Sequence, residues 1–199
     1  MQCISFMFWR IIIYTPVFFI FIIFIFSCNE ASNLTEPIVT LGQSYQGGIV
    51  YYILRPGDNG YDENKQHGLI ASTKDQGYKA AWGCQGVEIP GADSYKIGDG
   101  KQNTIDIVRI CYNQDLAARL CYEYDTLNYS DWFLPSIDEL AILEENQLLV
   151  GGFYGGDYWS STEDNKQHAR SYFFSLRGGA PHAKYKSDIL VGVRAIRYF

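Results

Sequence analysis

Histidine and methionine are scarce in this chain: 199 residues include three His and two Met. His67, His168 and His182 are scattered, with no spacing that suits a metal centre or a nucleophile relay, and they read as ordinary strand or loop residues. The five cysteines contain no pair at zinc-ligand spacing. Ser160-Ser161-Thr162 has no Gly-x-Ser-x-Gly elbow around it and no identifiable base. Gly98-Asp99-Gly100 lacks the Lys and Ser/Thr of a phosphate loop, and no strand precedes it. Asp58, Asn59, Asp62, Glu63 and Asn64 crowd one loop, but without the alternating acids, glycine and closing glutamate of a calcium loop. The expectation is therefore a non-enzyme with no cofactor and no metal. Cations are also in deficit, 16 Lys and Arg against 22 Asp and Glu, a net charge of −6. By net charge the domain as a whole is not a nucleic-acid binder.

Charge is absent altogether from Ile11 to Phe26, an apolar run behind Arg10 that contains Pro16 and is followed by Ser27 and Cys28. A cation, an apolar core and a small residue describe a secretory signal, and the run is short for a spanning helix. Phe26-Ser27-Cys28, followed by polar Asn29 and Glu30, resembles a bacterial lipoprotein cleavage site. The resemblance implies that residues 1–27 are removed and that Cys28 is lipidated, which places the protein on a membrane of the cell envelope, the outer membrane or the cell surface. An uncleaved membrane anchor and plain secretion are the alternatives. Residues 28–40 are polar and read as a tether, and the domain is expected to span residues 41–199.

The remaining charge is uneven. From Asn29 to Asp164 there are 8 Lys and Arg against 21 acids, and from Asn165 to Phe199 there are 7 against 1. Either the C-terminal strands pair with acidic neighbours, or they form a basic face for an anionic ligand such as an acidic glycan. Exported cysteines can pair. Cys121 shares a helical face with Leu116, Ala117, Leu120 and Tyr124 and suits a buried free thiol. Cys84 lies in a glycine-flanked loop and Cys111 ends a different helix, so a Cys84–Cys111 disulfide is expected.

The stretch Asp131–Leu140 organises the rest. Trp132, Phe133 and Leu134 run into Pro135. Ser136 then caps a helix and Glu139 completes a capping box, with helix expected to about Leu148. Upstream, Ile49–Leu54 and His67–Ala71 form a hairpin with a long tip, Ala80–Cys84 a short strand, and Asn103 caps a helix to about Tyr112, followed by helix over Asp115–Tyr124. Downstream, Asp157–Glu163, His168–Leu176, His182–Lys186 and Ile189–Phe199 read as strands. The class is α+β, with two main helices in the middle and antiparallel strands from both ends sharing a sheet.

DWFLPSIDEL, YWSSTE at Tyr158–Glu163 and VRAIRYF at Val193–Phe199 resemble the Lcl-type C-terminal domain of bacterial collagen-like surface adhesins. GGIVYYI, HGLIA, AWGC, IGDGKQNT and AARLC are similar to its Bacteroidetes-type members, which occur as exported lipoproteins. That resemblance implies a compact C-type lectin-like fold, related to the formylglycine-generating-enzyme fold, with a loop-rich binding side. It carries over no activity: the calcium-binding tripeptides of sugar-binding lectins and the collagen-like repeats are absent. The function expected is a lipid-anchored module that recognises a glycan or another surface molecule. The alternatives are an assembly protein docking to an envelope protein and, last, an enzyme on the formylglycine-generating scaffold.

The candidate ligand contacts are aromatic or charged. Trp132, Tyr158 and Trp159 can stack on a sugar face or fill the core beside the helices. Trp82, next to a glycine-rich loop, is expected to be more exposed than they are. Asp131, Glu163, Arg170 and Arg194 either contact ligand or form structural ion pairs.

Overall fold

The structure, a computed structural model, describes residues 38–199. The expected signal segment, Cys28 and nearly all of the tether lie outside the described residues. Val39 already belongs to the domain: it is buried, and its backbone exchanges two hydrogen bonds with the Gln66 amide, at 2.8 and 3.0 Å.

The architecture is α+β, with two antiparallel sheets. The first has the order β1-β2-β3-β7: β1 Ser44–Tyr45, β2 Gly48–Ile53, β3 Gly68–Ala71 and β7 Ile196–Tyr198. The expected hairpin is β2–β3, and the expected sharing of one sheet by both ends of the domain is the pairing of β3 with β7, Leu69 opposite Tyr198. A register shift between Val50 and Tyr52 inserts Tyr51 as an extra residue, so Val50, Tyr51 and Tyr52 are all buried. The second sheet is β4-β5-β6: Gly156–Glu163, His168–Phe174 and Ala180–Tyr185.

Between the sheets in sequence lie α1 Gly100–Ile110, α2 Ala117–Tyr122, α3 Ile137–Glu145 and α4 Gln147–Val150. The capping box forms as the sequence dictates. Ser136 Oγ accepts from Glu139 N at 3.3 Å, and the Glu139 carboxylate accepts from Ser136 N at 2.8 Å. The same carboxylate accepts from Gly98 N at 2.9 Å and from the Tyr198 hydroxyl at 2.7 Å, so one side chain ties the helix start to the preceding loop and to the last strand. Burial pushes the Glu139 carboxyl up, against the opposing pull of those donors. The helix ends at Asn146, earlier than expected, because the Asn146 side chain bonds back to Ile142 O.

Three sequence expectations fail locally. Asn103 does not cap α1. It lies inside the helix, buried, and its amide donates to Ser94 O and Ser161 Oγ. Ala80–Cys84 makes only a single bridge, Ala81 to Leu116. Of Ile189–Phe199, only the last turn of chain is strand. Before it, Gly192 and Val193 make isolated bridges to Tyr158 and Gly77, because their carbonyls and amides are shared among different partners, and Ile196 of β7 also bridges Phe133.

Two buried clusters fill the domain. One gathers Trp82, Trp132 and Trp159 against α1 and α2; the other packs Tyr51, Phe133 and Tyr158 against Leu140 and Leu143 of α3. Cys84 and Cys111 are disulfide-bonded, with Cα atoms 5.5 Å apart, and Cys121 is free and buried, as expected. Burial raises the Cys121 thiol well above its ordinary value, which leaves it inert.

Candidate functional site

Most of the expected ligand contacts face inward. Trp82 is a correction: it is fully buried, its indole donates to Ser160 O at 2.7 Å, and the Lys186 ammonium sits 4.8 Å over its ring. A glycine-flanked loop says nothing about depth when the loop folds under a neighbour. Trp159 and Trp132 are buried too, donating to Ala80 O and Tyr129 O. Glu163 is buried, where it accepts from Ile89 N and pairs with Lys186, whose ammonium also donates to Val87 O at 2.7 Å. Arg170 pairs with Asp164 at the surface.

The basic C-terminal segment proves to be structural. Five of its seven cations, Arg170, Lys184, Lys186, Arg194 and Arg197, are in ion pairs with acids. Arg197 grips Asp131 with two parallel bonds, 2.6 and 3.0 Å, and lies 4.3 Å over the Tyr129 ring. Partial burial pushes the Asp131 carboxyl up, but the bonds and charge of Arg197, with Lys101 beyond, outweigh it and hold the carboxyl below its usual value.

Two surface features gather the expected residues with others. Asp131 and Trp132 line a groove of about 310 Å³ with Lys101, Ile105, Tyr122 and Ser130. Here Tyr122 is exposed while Trp132 is buried.

The second feature stands over Arg194 and Tyr158. Arg194 is fully buried. Its Nε meets Asp75 at 2.7 Å, and its remaining donors hold Ser72 O, Gly151 O and Gly152 O, with the guanidinium 3.9 Å over the Phe153 ring. The Tyr158 hydroxyl donates to the other Asp75 oxygen at 2.8 Å and accepts from Tyr154 N at 2.9 Å. Burial and the Asp75 charge raise the Tyr158 phenol far beyond neutral pH, so it stays a donor.

This network clamps two loops, and each carries an exposed ring. Tyr78 is 62% exposed and Tyr154 is 50% exposed; their centroids are 6.3 Å apart and the rings are tilted by 45°. The Tyr154 hydroxyl donates to Asp157 O at 2.7 Å. Gly192 makes room for its ring, since a Cβ there would lie 2.3 Å from Tyr154 Cε1. Tyr78 follows Gly77, whose carbonyl accepts from Val193 N at 2.7 Å. Beside Tyr78 opens a recess of about 320 Å³ with exposed Lys79 and Asp115 on its rim.

Arg194 and Tyr158 are therefore buried supports of the two loops, and the exposed rings are Tyr78 and Tyr154. Sequence reasoning missed Tyr78, Lys79, Asp115 and Tyr154. The available signal was Phe153-Tyr154 between two Gly-Gly steps, an aromatic pair in a segment that otherwise reads as a helix breaker.

No protein-family model matches the chain, and no curated protein matches it. A solved crystal structure of a fimbrial protein from Bacteroides ovatus ATCC 8483 is similar over 76% of this chain and 43% of that one, at 15% identity and a TM-score of 0.46. The chain thus spans less than half the length of that fimbrial protein.

Proposed function

We propose that the protein is a lipid-anchored, non-catalytic binding module of the bacterial cell envelope, that it recognises a glycan, and that the Tyr78–Tyr154 platform is the seat. The observation that carries this is the platform itself. Two exposed rings are held at a fixed spacing by a buried Arg194–Asp75–Tyr158 network, next to a recess with one cation and one carboxylate. The apolar face of a sugar ring stacks on tyrosine, and its hydroxyls need a donor and an acceptor beside the stack. Loops that are already held lose little entropy on binding. The C-type lectin-like reading of the fold and the kinship to the adhesin domain rest on the sequence motifs. The sharing of a sheet by strands from both ends of the domain supports them.

The test is the detergent-solubilised chain on a broad glycan array, with and without calcium. A reproducible hit that Tyr78→Ala or Tyr154→Ala weakens about tenfold, the value of roughly 1.4 kcal/mol of stacking, supports the seat. Loss on Tyr122→Ala and Lys101→Ala, with Tyr78→Ala silent, moves the seat to the Asp131 groove. A blank from folded protein removes the glycan reading. A single stoichiometric partner recovered from solubilised membranes then favours docking to an envelope protein.

A further inference from the structure

Large apolar side chains stand exposed at one end of the domain, and they come from three separate parts of the chain. Leu148 is 80% exposed and Leu176 is 75% exposed, with Leu149 and Leu41 about half exposed. They belong together. The Gln147 amide bonds both Glu144 Oε1 at 3.1 Å and Ser175 O at 3.2 Å, and Ser175 N donates to the same carboxylate, so the turn bearing Leu176 is stitched to α4, which bears Leu148 and Leu149. Leu149 in turn packs at Gly42, where a Cβ would lie 3.7 Å from its Cδ2, and this sets Leu41 beside the helix. A soluble surface does not gather such residues without a use for them.

The rim of this patch is charged. Arg177 follows Leu176 and is exposed, and it is one of the two C-terminal cations outside the ion pairs described above. Arg55 is exposed on the recess that Leu41 lines, with Glu145 on the same recess. Apolar side chains with two arginines at their rim match the boundary between acyl chains and phosphate headgroups, and Glu145 is an exposed acid beside them.

The chain also enters the domain here. The described residues begin at Ile38, three positions before Leu41, and Cys28 lies ten positions upstream of Ile38. Ten residues span at most about 36 Å even when fully extended. If Cys28 carries a lipid, the domain cannot leave the neighbourhood of the bilayer, and the end that receives the tether is the end able to touch it.

We propose that the Leu41–Leu148–Leu149–Leu176 end of the domain rests in the headgroup layer of a phospholipid bilayer, with Arg55 and Arg177 against lipid phosphates. This rests on the membrane-anchored reading given above. It fixes the domain's orientation on the membrane, which anchoring alone leaves free.

The test uses the full chain in phosphatidylcholine vesicles containing a minor fraction of phosphatidylglycerol. Leu148→Cys, in a Cys3→Ser background, carries an environment-sensitive fluorophore, and Val87→Cys is the reporter outside the patch. Cys121 is buried and Cys84 and Cys111 are bonded to each other, so none of them takes label. Label uptake by the Cys3→Ser chain alone reports a free Cys28, and co-sedimentation reports anchoring, both independently of the patch. The expected result is co-sedimentation, with nitroxide on the acyl chains quenching position 148 roughly threefold more than position 87. Equal quenching in a chain that co-sediments overturns the proposal and leaves the anchoring intact. A chain that does not co-sediment overturns both. Fluorophore self-quenching at position 148 without nitroxide quenching assigns the face to a second copy, and that too overturns the proposal. If Leu148→Cys loses its thermal transition, Leu176→Cys takes its place and is read the same way.

Discussion

Replacing Arg194 with methionine keeps the stem of the side chain and removes the guanidinium. In the parent that group meets one carboxylate and three backbone carbonyls, in a place closed to water. After Arg194→Met the Asp75 carboxylate keeps the Tyr158 hydroxyl as a donor but loses its cation, and the carbonyls of Ser72, Gly151 and Gly152 lose theirs. Breaking a buried pair from one side costs about 3–5 kcal/mol. For a domain of this length each kcal/mol moves the melting temperature by about 2–4 °C, so a fall of roughly 6–20 °C follows. Loss on this scale is a large share of the 5–15 kcal/mol typical of a domain. Differential scanning calorimetry reads it, with Arg109→Met as the control. Arg109 pairs with Asp106 from an exposed position, and such a pair contributes about 0–1 kcal/mol. Limited proteolysis reads the local consequence, since Gly151 and Gly152 lose the group that holds them and the segment before Tyr154 should be cut first. If Arg194→Met melts within about 2 °C of the parent, the network is not holding the two loops, and the rigid platform argued from it fails as well.

Four further outcomes follow from the same structure. Cys84→Ser with Cys111→Ser releases a loop closed over 27 positions and should cost about 3–4 kcal/mol in urea denaturation. Ser136→Ala removes half of the capping box and the buried hydroxyl's bond to Lys96 O, and should cost about 1–2 kcal/mol in the same denaturation, with Ser136→Thr recovering more of it than Ser136→Asp, whose carboxylate has no proton to donate to that carbonyl. Asp131 has its folded value lowered, so its contribution is present above the ordinary value of 3.8 and lost as pH falls through the folded value. Asp131→Asn should therefore be less stable than the parent at neutral pH by about 0.5–1 kcal/mol, and the gap should close in acid. Glu139 has its folded value raised, so its contribution is greatest below the ordinary 4.5 and falls as pH rises through the folded value. Glu139→Gln should flatten that part of the stability–pH curve, whatever it costs in absolute terms.

What the sequence showed of the fold was carried by short-range chemistry. The capping box at Ser136 and Glu139 involves residues three apart, and the β2–β3 hairpin follows from two β-rich runs around a turn-rich loop. The cysteine pairing followed from helical phase, which put Cys121 on a buried face. What escaped was set by distant parts of the chain. Asn103 has the chemistry of a cap, yet Ser94 and Ser161 offered its amide better partners inside the fold. Trp82 is buried because Lys186, more than a hundred positions away, lies across its ring. The candidate site was legible in the same proportion. Arg194, Tyr158 and Asp131 stood out because charged and aromatic residues within apolar motifs are conspicuous, and they are the supports. Tyr78 and Tyr154, the exposed rings, sit in irregular loops where no period distinguishes a surface aromatic from a buried one.

The ion pairs also set the order in which the fold can be completed. Arg194 reaches back 119 positions to Asp75 and Arg197 reaches back 66 to Asp131, while β7 closes a sheet begun at Ser44. Until Arg194–Tyr198 dock, Asp75 and Asp131 lack these arginine partners, Leu69–Ala71 has a bare strand edge, and Glu139 lacks the Tyr198 hydroxyl. Closing loops of that length is slow, and nothing local rewards it beforehand. A chain emerging from its N-terminus can thus form the hairpin and α3 early but cannot lock them. The segment Arg194–Phe199 thus acts as a latch, and until it docks the earlier elements are present but not locked together.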